Sequence, residues 1–197
     1  MKRIYGILEF CYSGVEKFVK RVLLLTGAPG IGKTTVLSKT KEALRAADVR
    51  VGGMISQEAR EDGMRVGFEI TDLTSGGHGW LAHVNQKTGP QVGKYRVNIG
   101  DIDRVGAKAI SEATEKCAVV AIDEIGPMEL YSPNFKQAVK DALDSGKVVL
   151  AVVHAKAQDL LINEAKQRAD AELFTVTLAN RNALPETLRK QVLLALN

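Results

Sequence analysis

The sequence predicts an α/β fold, a mostly parallel β-sheet with helices on both faces and an inserted antiparallel β meander. Three observations support this prediction. Continuous apolar runs at 21–26, 117–122 and 147–153 are typical of strands buried on both faces. Apolar residues at helical spacing follow each run, and such alternation indicates a parallel sheet. The segment 49–97 instead carries short β-like runs separated by turn-forming residues, which is typical of a meander.

The elements follow in chain order. The first apolar run leads through a glycine-rich loop into a helix whose apolar residues keep helical spacing as far as residue 47. The β-like runs of the middle segment lie at 51–56, 65–73, 79–84 and 91–97. A helix at 98–116 comes next. Three further strands are predicted at 117–124, 147–153 and 172–178. One helix begins at Ser132 and Pro133, an N-cap and a first-turn proline. Two more helices lie near 159–169 and at 185–196.

The same pattern predicts the domain organisation. One domain occupies 21–197, with a β-rich insertion at about 50–98, and residues 1–20 form an N-terminal extension. Apolar residues at helical spacing favour an amphipathic helix in the extension, although Gly6 and Gly14 weaken this prediction. Its polar face is not strongly basic, so we expect an added helix or a partly ordered tail rather than a membrane-surface or partner helix.

The composition argues against several classes of protein. The net charge is +4, and basic residues alternate with acidic ones, which is typical of a solvated surface rather than a nucleic-acid-binding face. Every apolar stretch is shorter than the roughly 20 residues of a membrane-spanning helix, and charges interrupt any signal-peptide core near the start. Cys11 and Cys117 fit no metal-binding spacing, so we expect a cytoplasmic protein. No protein partner is indicated, and a monomer is expected.

A glycine-rich loop at 27–34 fits the pattern G-x-x-x-x-G-K-[ST] at each fixed position. Glycines let backbone amides approach a phosphate closely, and amides at a helix N-terminus bind anions. The buried strand before the loop and the amphipathic helix after it are the context that this motif requires. The predicted nucleotide-binding residues are Gly27, Ala28, Pro29, Gly30, Ile31, Gly32, Lys33, Thr34 and Thr35.

Four residues are predicted to perform the chemistry. Lys33 can reach the β- and γ-phosphates, and the hydroxyl of Thr34 can ligate Mg²⁺. Asp123 ends a buried strand, so its carboxylate should emerge at the edge of the sheet where ligands bind and hold Mg²⁺ opposite Lys33. Glu124 follows it and is placed to orient and polarise an attacking water. This pair of acids favours a hydrolase over a phosphotransferase.

The acidic segment also fits the D-x-x-G count of a GTPase switch, in which Gly126 would present its amide to a γ-phosphate. A guanine-specific switch should carry an N-K-x-D motif as well. The segment 85–88 fails that pattern at its second and fourth positions. A guanine-specific switch is therefore disfavoured.

Two segments carry a resemblance to a known family. The loop 27–35 and the segment 123–130, which reads DEIGPMEL, resemble those of the small nucleoside-triphosphatases first described from thermophiles, a family that includes the human cancer-related nucleoside-triphosphatase. The similarity covers about 21–196. It implies a RecA-like sheet with an antiparallel insertion, and slow hydrolysis of ATP, GTP, CTP and UTP to diphosphates. Supporting segments lie at 66–68, 93–98 and 180–181.

The roles of several further residues stay open. His154, at the end of a buried strand, is either a γ-phosphate sensor or a structural histidine. Arg181 follows the last strand and could stack on a base, but with Asn180 it could also form a simple turn. Glu129 is either a carboxylate near the metal or a capping or surface residue. The insertion arginines, of which one could approach the phosphates, are Arg60, Arg65 and Arg96, and Trp80 is expected to pack.

Three functions compete. The leading hypothesis is Mg²⁺-dependent hydrolysis of nucleoside triphosphates, because the phosphate loop and the two acids occur together. A nucleotide, nucleoside or RNA kinase shares the loop, but it should carry an arginine-bearing lid where this sequence has a β meander. A nucleotide-gated adaptor, with the extension contacting a partner, would bind nucleotide tightly with negligible turnover.

Overall fold

The computed structural model describes residues 19–197, which form a single nine-stranded sheet with helices on both faces. The strands are β1 (Val22–Thr26), β2 (Val51–Glu61), β3 (Met64–Asp72), β4 (His78–His83), β5 (Gln91–Val92), β6 (Tyr95–Val97), β7 (Val119–Ile125), β8 (Val148–Val153) and β9 (Ala171–Thr175). The helices are α1 (Lys33–Arg45), α2 (Ile99–Asp101), α3 (Lys108–Lys116), α4 (Pro133–Asp144), α5 (Leu160–Gln167) and α6 (Leu184–Leu196).

The sheet has a parallel half and an antiparallel half, in the order β5-β6-β4-β3-β2-β7-β8-β1-β9. The strands β9, β1, β8 and β7 are parallel to one another. β2 belongs to both halves: it pairs parallel with β7 as far as Ile55 and antiparallel with β3 along its length. The α/β fold with parallel strands and an antiparallel meander is therefore confirmed; because the meander continues the same sheet, the whole sheet is mixed rather than mostly parallel.

Each face of the sheet has its own apolar core, because alternate residues of a strand point to opposite faces. On one face, Leu23 and Leu25 of β1 pack with apolar residues of α1 and α6. On the other face, Leu24 packs with Ile122 and with residues of α3, α4 and α5. Since the central strands are buried on both sides, their sequences are continuously apolar rather than alternating.

A local capping signal explains where α4 begins. The hydroxyl of Ser132 accepts a hydrogen bond from the backbone N–H of Phe135 at 2.9 Å, and Pro133 occupies the first turn of α4, as predicted. Phe135 is fully buried. Ser132 thus caps the helix at its first turn, and Phe135 anchors it on the sheet.

Four predicted elements differ from the structure. The single β-like run expected at 91–97 is two short antiparallel strands, β5 and β6, because the chain turns at Gly93 (φ +59°). The helix expected at 98–116 contains a π-helical segment, Ile102–Ala107, between α2 and α3. The strand expected at 51–56 extends to Glu61, because β3 supplies hydrogen-bonding partners beyond the end of β7. The last strand, expected to reach 178, ends at Thr175, because Asn180 binds back to the backbone there: its Oδ1 accepts from the N–H of Thr177 at 2.8 Å.

Among residues 19–197, no helix has the length and apolar character needed to cross a membrane. The prediction of a helix within residues 1–20 falls almost entirely outside the described residues.

Candidate active site

The candidate site lies at one edge of the parallel half, where β1, β7 and β8 all end. Because these strands are parallel and in register, their carboxyl ends meet at the same edge of the sheet. The glycine-rich loop follows β1, Asp123 and Glu124 lie near the end of β7, and His154 follows β8. The fold thus brings together residues that are more than 80 positions apart in the chain.

The loop between β1 and α1 requires glycine at specific positions. Gly27, Gly30 and Gly32 have φ angles of +146°, +73° and +107°, a region that other residues rarely adopt. At Gly27 a side chain would also collide, since a Cβ atom would lie 2.8 Å from the carbonyl oxygen of Val176. Gly32 is the N-cap of α1, and no side chain occupies the amides of the first turn. Those amides and the helix dipole favour an anion.

Lys33 lies across this loop. Its Nζ donates hydrogen bonds to the carbonyl oxygens of Gly27 and Ala28, both at 3.3 Å. These two contacts keep the ammonium group over the concave side of the loop, beside the acids of β7, where its charge lowers the pKa values of Asp123 and Glu124. Lys33 therefore supplies positive charge at the point where the loop and β7 meet.

Asp123 is almost completely buried, with 1% of its surface exposed. Burial raises the pKa of its carboxyl from 3.8 to about 7, with a further contribution from the charge of Glu124, while the hydroxyl of Thr34 and the charge of Lys33 act in the opposite direction. Within residues 19–197 its Oδ2 atom has no hydrogen-bond partner. A buried carboxylate oxygen without a partner is costly unless a ligand completes its surroundings.

The donor set around Asp123 fits Mg²⁺. A hydroxyl and a carboxylate meet here, and the carboxylate keeps an oxygen that no described protein group satisfies. Mg²⁺ is usually held by one or two carboxylates together with substrate phosphates rather than by a complete protein cage. In agreement, no group of three or more metal-binding His, Cys, Asp or Glu side chains occurs in the described part of the chain. Thr34 and Asp123 are the residues that would hold the ion.

Glu124 is the second acid of β7, joined to Asp123 by a cis peptide bond. Burial raises the pKa of its carboxyl, and the positive charges of Lys33 and His154 lower it, so both side chains lie near enough to act on it. Its Oε1 atom is buried and has no hydrogen-bond partner among the residues that the structure describes. Glu124 therefore presents a free acceptor oxygen in the same site as Lys33 and Asp123.

His154 lies beside β7, as the strand order requires. Its backbone N–H donates to the carbonyl oxygen of Ile125 at 3.2 Å, and its Nδ1 accepts from the backbone N–H of Lys156 at 3.3 Å. The Nδ1 atom is thus used within the chain, and Nε2 is the ring nitrogen that remains for a ligand.

Glu129 is a buried member of the site whose place the sequence left open. It lies in a 3₁₀ turn, Glu129–Tyr131, directly after β7, and is 4% exposed. The backbone amides of Gly126 and of Glu129 itself approach its carboxyl. Burial raises the pKa of Glu129 from 4.5 to about 8, with further contributions from Glu124 and Asp123.

Arg181 borders a cleft beside the phosphate loop. Its Nη1 donates to the carbonyl oxygen of Ile31 at 3.3 Å, so the guanidinium lies against the outer side of the loop. Asn180 has the turn role: its Nδ2 donates to the carbonyl oxygen of Thr175 at 2.9 Å. The cleft has a volume of about 230 Å³ and is lined by Gly32, Thr35, Val36, Lys39, Arg181 and Asn182.

The cleft and the strand end also contain residues that the sequence did not reveal. Lys39 lies one helical turn after Thr35, so the i, i+4 spacing was a usable signal. Asn182 lines the cleft next to Arg181. The hydroxyl of Ser56 donates to the carbonyl oxygen of Asp123 at 2.7 Å, a contact that depends on the pairing of β2 with β7.

The arginines of the antiparallel half have other partners. Arg60 and Arg65 both form ion pairs with Glu58, at 2.8 Å and 2.6 Å. Arg96 donates to the carbonyl oxygen of Gly89 at 3.1 Å. Trp80 packs edge-on against His83, with ring centroids 4.4 Å apart, as a packing role predicts.

A buried strand, an anion-binding glycine loop with its lysine and hydroxyl, a helix and a second strand ending in acids together define a P-loop nucleotide-binding protein. Comparison with known proteins agrees. A family described as NTPase matches residues 22–189, so the chain belongs to this nucleoside-triphosphatase family. The expected family resemblance is confirmed.

Similar proteins cover nearly the same part of the chain. The nucleoside-triphosphatase THEP1 of Thermofilum pendens is 50% identical over 170 residues, which are 86% of this chain and 93% of that protein. The THEP1 of Methanosarcina acetivorans is 44% identical over 172 residues, 87% of this chain and 96% of that one.

Two solved structures have the same fold. The crystal structure of THEP1 from the hyperthermophile Aquifex aeolicus has a TM-score of 0.75 at 28% identity and covers 87% of this chain and 98% of its own. The solution structure of a human cancer-related nucleoside triphosphatase has a TM-score of 0.74 at 34% identity and covers 87% and 97%.

Proposed function

We propose that this protein hydrolyses nucleoside triphosphates to diphosphates and phosphate, with Mg²⁺ as its metal and with broad base specificity that includes ATP, GTP, CTP and UTP. The observation that carries the proposal is the position of the Glu124 carboxyl, next to Asp123 and near enough to Lys33 and His154 for both to lower its pKa. A carboxylate in that position can accept a hydrogen bond from a water molecule and orient it towards a γ-phosphate.

Each group of the candidate site has a separate role in phosphoryl transfer. The amides of the loop and the first turn of α1 bind the phosphates, and Lys33 stabilises the charge that develops on the γ-phosphate oxygens. Thr34 and Asp123 would hold Mg²⁺, which when bound neutralises phosphate charge and fixes the phosphates in one orientation. Glu124 positions the attacking water and accepts its proton. Phosphoryl transfer is mainly a matter of positioning and charge stabilisation, which this set of residues supplies.

Broad base specificity is supported by the cleft next to the loop. The guanidinium of Arg181 offers a flat cationic surface, and such a surface stacks on any base because every base has a π face. The other polar side chains of the cleft, Thr35, Lys39 and Asn182, are exposed. Exposed side chains can exchange a base contact for water, so they discriminate weakly between bases.

Among residues 19–197, the arginines of the antiparallel half do not form the arginine-bearing lid expected of a kinase, which also agrees with the proposal. Arg60, Arg65 and Arg96 are the arginines of the antiparallel half, and each contacts a group of that half. A kinase that closes over an acceptor would place such arginines over the phosphates. Water is therefore the favoured acceptor.

The test is phosphate release from ATP, GTP, CTP and UTP, in Mg²⁺ or in excess chelator, without any acceptor. Wild type should release phosphate from all four in Mg²⁺ and from none in chelator. Lys33→Ala should lose at least about 100-fold in kcat/KM, because a transition-state charge contact is removed. Lys116→Ala, which removes an exposed lysine of α3, is the matched control and should keep wild-type activity.

Two results would contradict the proposal. One is nucleotide binding without phosphate release from any of the four. The other is diphosphate formation that requires an added nucleoside, nucleotide or RNA, which would identify a kinase.

A further inference from the structure

Glu129 is a buried acid that the proposed reaction does not use. Glutamate is rarely buried completely without a specific role or partner, yet Glu129 is 4% exposed and lies four residues after the end of β7. Its turn is held by the backbone N–H of Leu130, which donates to the carbonyl oxygen of Gly126 at 3.1 Å. Its carboxyl therefore has a fixed place under the site.

That place is next to Glu124. A Cβ atom on Gly126 would lie 3.0 Å from Oε2 of Glu129 and 3.5 Å from Oε1 of Glu124. The two carboxyl groups thus converge on the same side of Gly126, where the absence of a side chain leaves room for them. The Glu124 oxygen at this point is the one that lacks a hydrogen-bond partner among residues 19–197.

The charges of the site decide which state Glu129 adopts. Lys33 lowers the pKa values of Asp123 and Glu124, and His154 lowers that of Glu124, but neither is a cause of the pKa of Glu129, so charging all three neighbouring acids is unfavourable. Burial and the two neighbouring acids raise the pKa of Glu129 to about 8, so its carboxyl is protonated at neutral pH. A protonated carboxyl can donate one hydrogen bond and still accept others.

We propose that Glu129 is a positioning residue that holds the carboxylate of Glu124 in the orientation needed for hydrolysis. The amides of Gly126 and Glu129 lie close enough to its carboxyl to lower its pKa, and the hydrogen bond from the N–H of Leu130 to the carbonyl oxygen of Gly126 fixes the turn after β7. The hydroxyl of the Glu129 carboxyl is then available to Oε1 of Glu124 across Gly126, and Oε2 of Glu124 is left to accept from the attacking water. The inference rests on the proposed function, in which Glu124 orients water. Glu129 itself does not touch the nucleotide.

The test compares two substitutions with a matched control. Glu129→Gln keeps the shape, a donor and an acceptor, whereas Glu129→Ala removes all three. The control is Asp72→Ala, because Asp72 is also a buried acid (8% exposed) that caps a turn, accepting from the N–H of Thr74 and the hydroxyl of Ser75. Its turn follows β3 and contacts the C-terminal end of α1, away from the candidate site.

For Glu129→Ala we expect kcat to fall by about 10- to 100-fold, as for other residues that orient a catalytic group, with KM and nucleotide affinity unchanged. Glu129→Gln should stay within about 3-fold of wild type. Asp72→Ala should lower the unfolding free energy and leave kcat unchanged. The inference is overturned if Glu129→Ala is folded and fully active, if Glu129→Gln is as impaired as Glu129→Ala, or if Asp72→Ala loses kcat equally.

A second measurement does not depend on activity. The NMR chemical shift of the Glu124 carboxyl carbon, assigned by comparison with Glu124→Gln, should move in nucleotide-free Glu129→Ala and stay in place in Glu129→Gln and Asp72→Ala. An unmoved signal in Glu129→Ala overturns the inference. If wild type releases no phosphate, the proposed function fails, and this signal alone decides whether Glu129 positions Glu124.

Discussion

The acidic residues of the two halves of the sheet lie in opposite kinds of surroundings. In the parallel half, Asp123 of β7 is buried and Glu124 is partly buried, and each has a buried oxygen without a partner among the residues that the structure describes. In the antiparallel half, Glu58 accepts from Arg60 and Arg65 at the surface, and Arg65 also lies over the Phe68 ring, 5.1 Å from its centroid. The parallel half thus keeps acidic oxygens without partners, whereas the acid Glu58 of the antiparallel half is paired; Nε2 of His83 in β4 is the buried polar side-chain atom of that half without a partner among residues 19–197.

This difference supports the proposal that the chemistry takes place in the parallel half. A buried polar group without a partner destabilises a fold, so its presence needs a compensating function. The pKa shifts agree: burial raises the pKa values of Asp123, Glu124 and Glu129, whereas hydrogen bonds from Arg65 and Arg60 lower that of Glu58. The charged forms of the three acids in the site are therefore disfavoured, whereas the charged form of Glu58 in the antiparallel half is favoured.

The largest effect on stability should come from the titration of Glu129. Its folded-state pKa is raised from 4.5 to about 8, so the unfolded chain loses this proton at lower pH than the folded protein does. The stability from the protonated group is present below about pH 4.5 and is lost as the pH rises through about 8. The unfolding free energy of wild type should fall relative to Glu129→Gln by about 2–5 kcal/mol between these limits.

Denaturant unfolding in chelator, at a series of pH values, measures this difference. Asp123 and Glu124 are present in both proteins, so the difference curve reports the titration of Glu129. A difference curve that stays flat from about pH 5 to about pH 8 would show that folding does not raise the pKa of Glu129.

The next effect concerns the base cleft. Arg181→Ala should raise KM for all four triphosphates by about 10-fold and leave kcat within about 2-fold, because stacking of a base contributes about 1–3 kcal/mol. The control is Arg189→Ala, which removes an arginine of α6 paired with Glu186 at 2.8 Å. A change in KM for one base alone would mean that Arg181 reads base edges instead of stacking.

The smallest effect should come from the antiparallel half. Arg65→Ala removes a partly exposed ion pair with Glu58, a hydrogen bond to the hydroxyl of Tyr95 at 2.8 Å and the contact with the Phe68 ring. The unfolding free energy should therefore fall by about 1–2 kcal/mol. Phosphate release should be unchanged. A loss of kcat in a folded Arg65→Ala protein would show that the antiparallel half contributes to catalysis, and it would contradict the contrast drawn between the two halves.

The sequence predicted the parallel half better than the antiparallel half, for a physical reason. Strands buried on both faces are continuously apolar, and the loop at 27–34 carries its own pattern, so the strands and the loop could be located along the chain. Lys33, Thr34, Asp123 and Glu124 could be assigned to one edge because parallel strands end together.

Features that depend on pairing between distant segments could not be read in this way. The extension of β2 to Glu61 depends on its hydrogen bonds to β3, and the contact between Ser56 and Asp123 depends on the register of β2 with β7. The burial of Glu129 is set by the turn that folds it under β7. The π-helical segment Ile102–Ala107 has no signal that we can identify in its residues.

The central claim is that Glu124 of the parallel half orients the water that attacks the nucleotide. The most direct measurement compares wild type with Glu124→Gln, which keeps the shape of the side chain but cannot accept a proton. Nucleotide affinity should stay within a few fold, and phosphate release in Mg²⁺ should fall by about 100- to 10,000-fold, the range for loss of general-base catalysis. The control Glu112→Gln changes a partly exposed acid of α3 that pairs with Lys116. Wild-type turnover by Glu124→Gln would contradict the account.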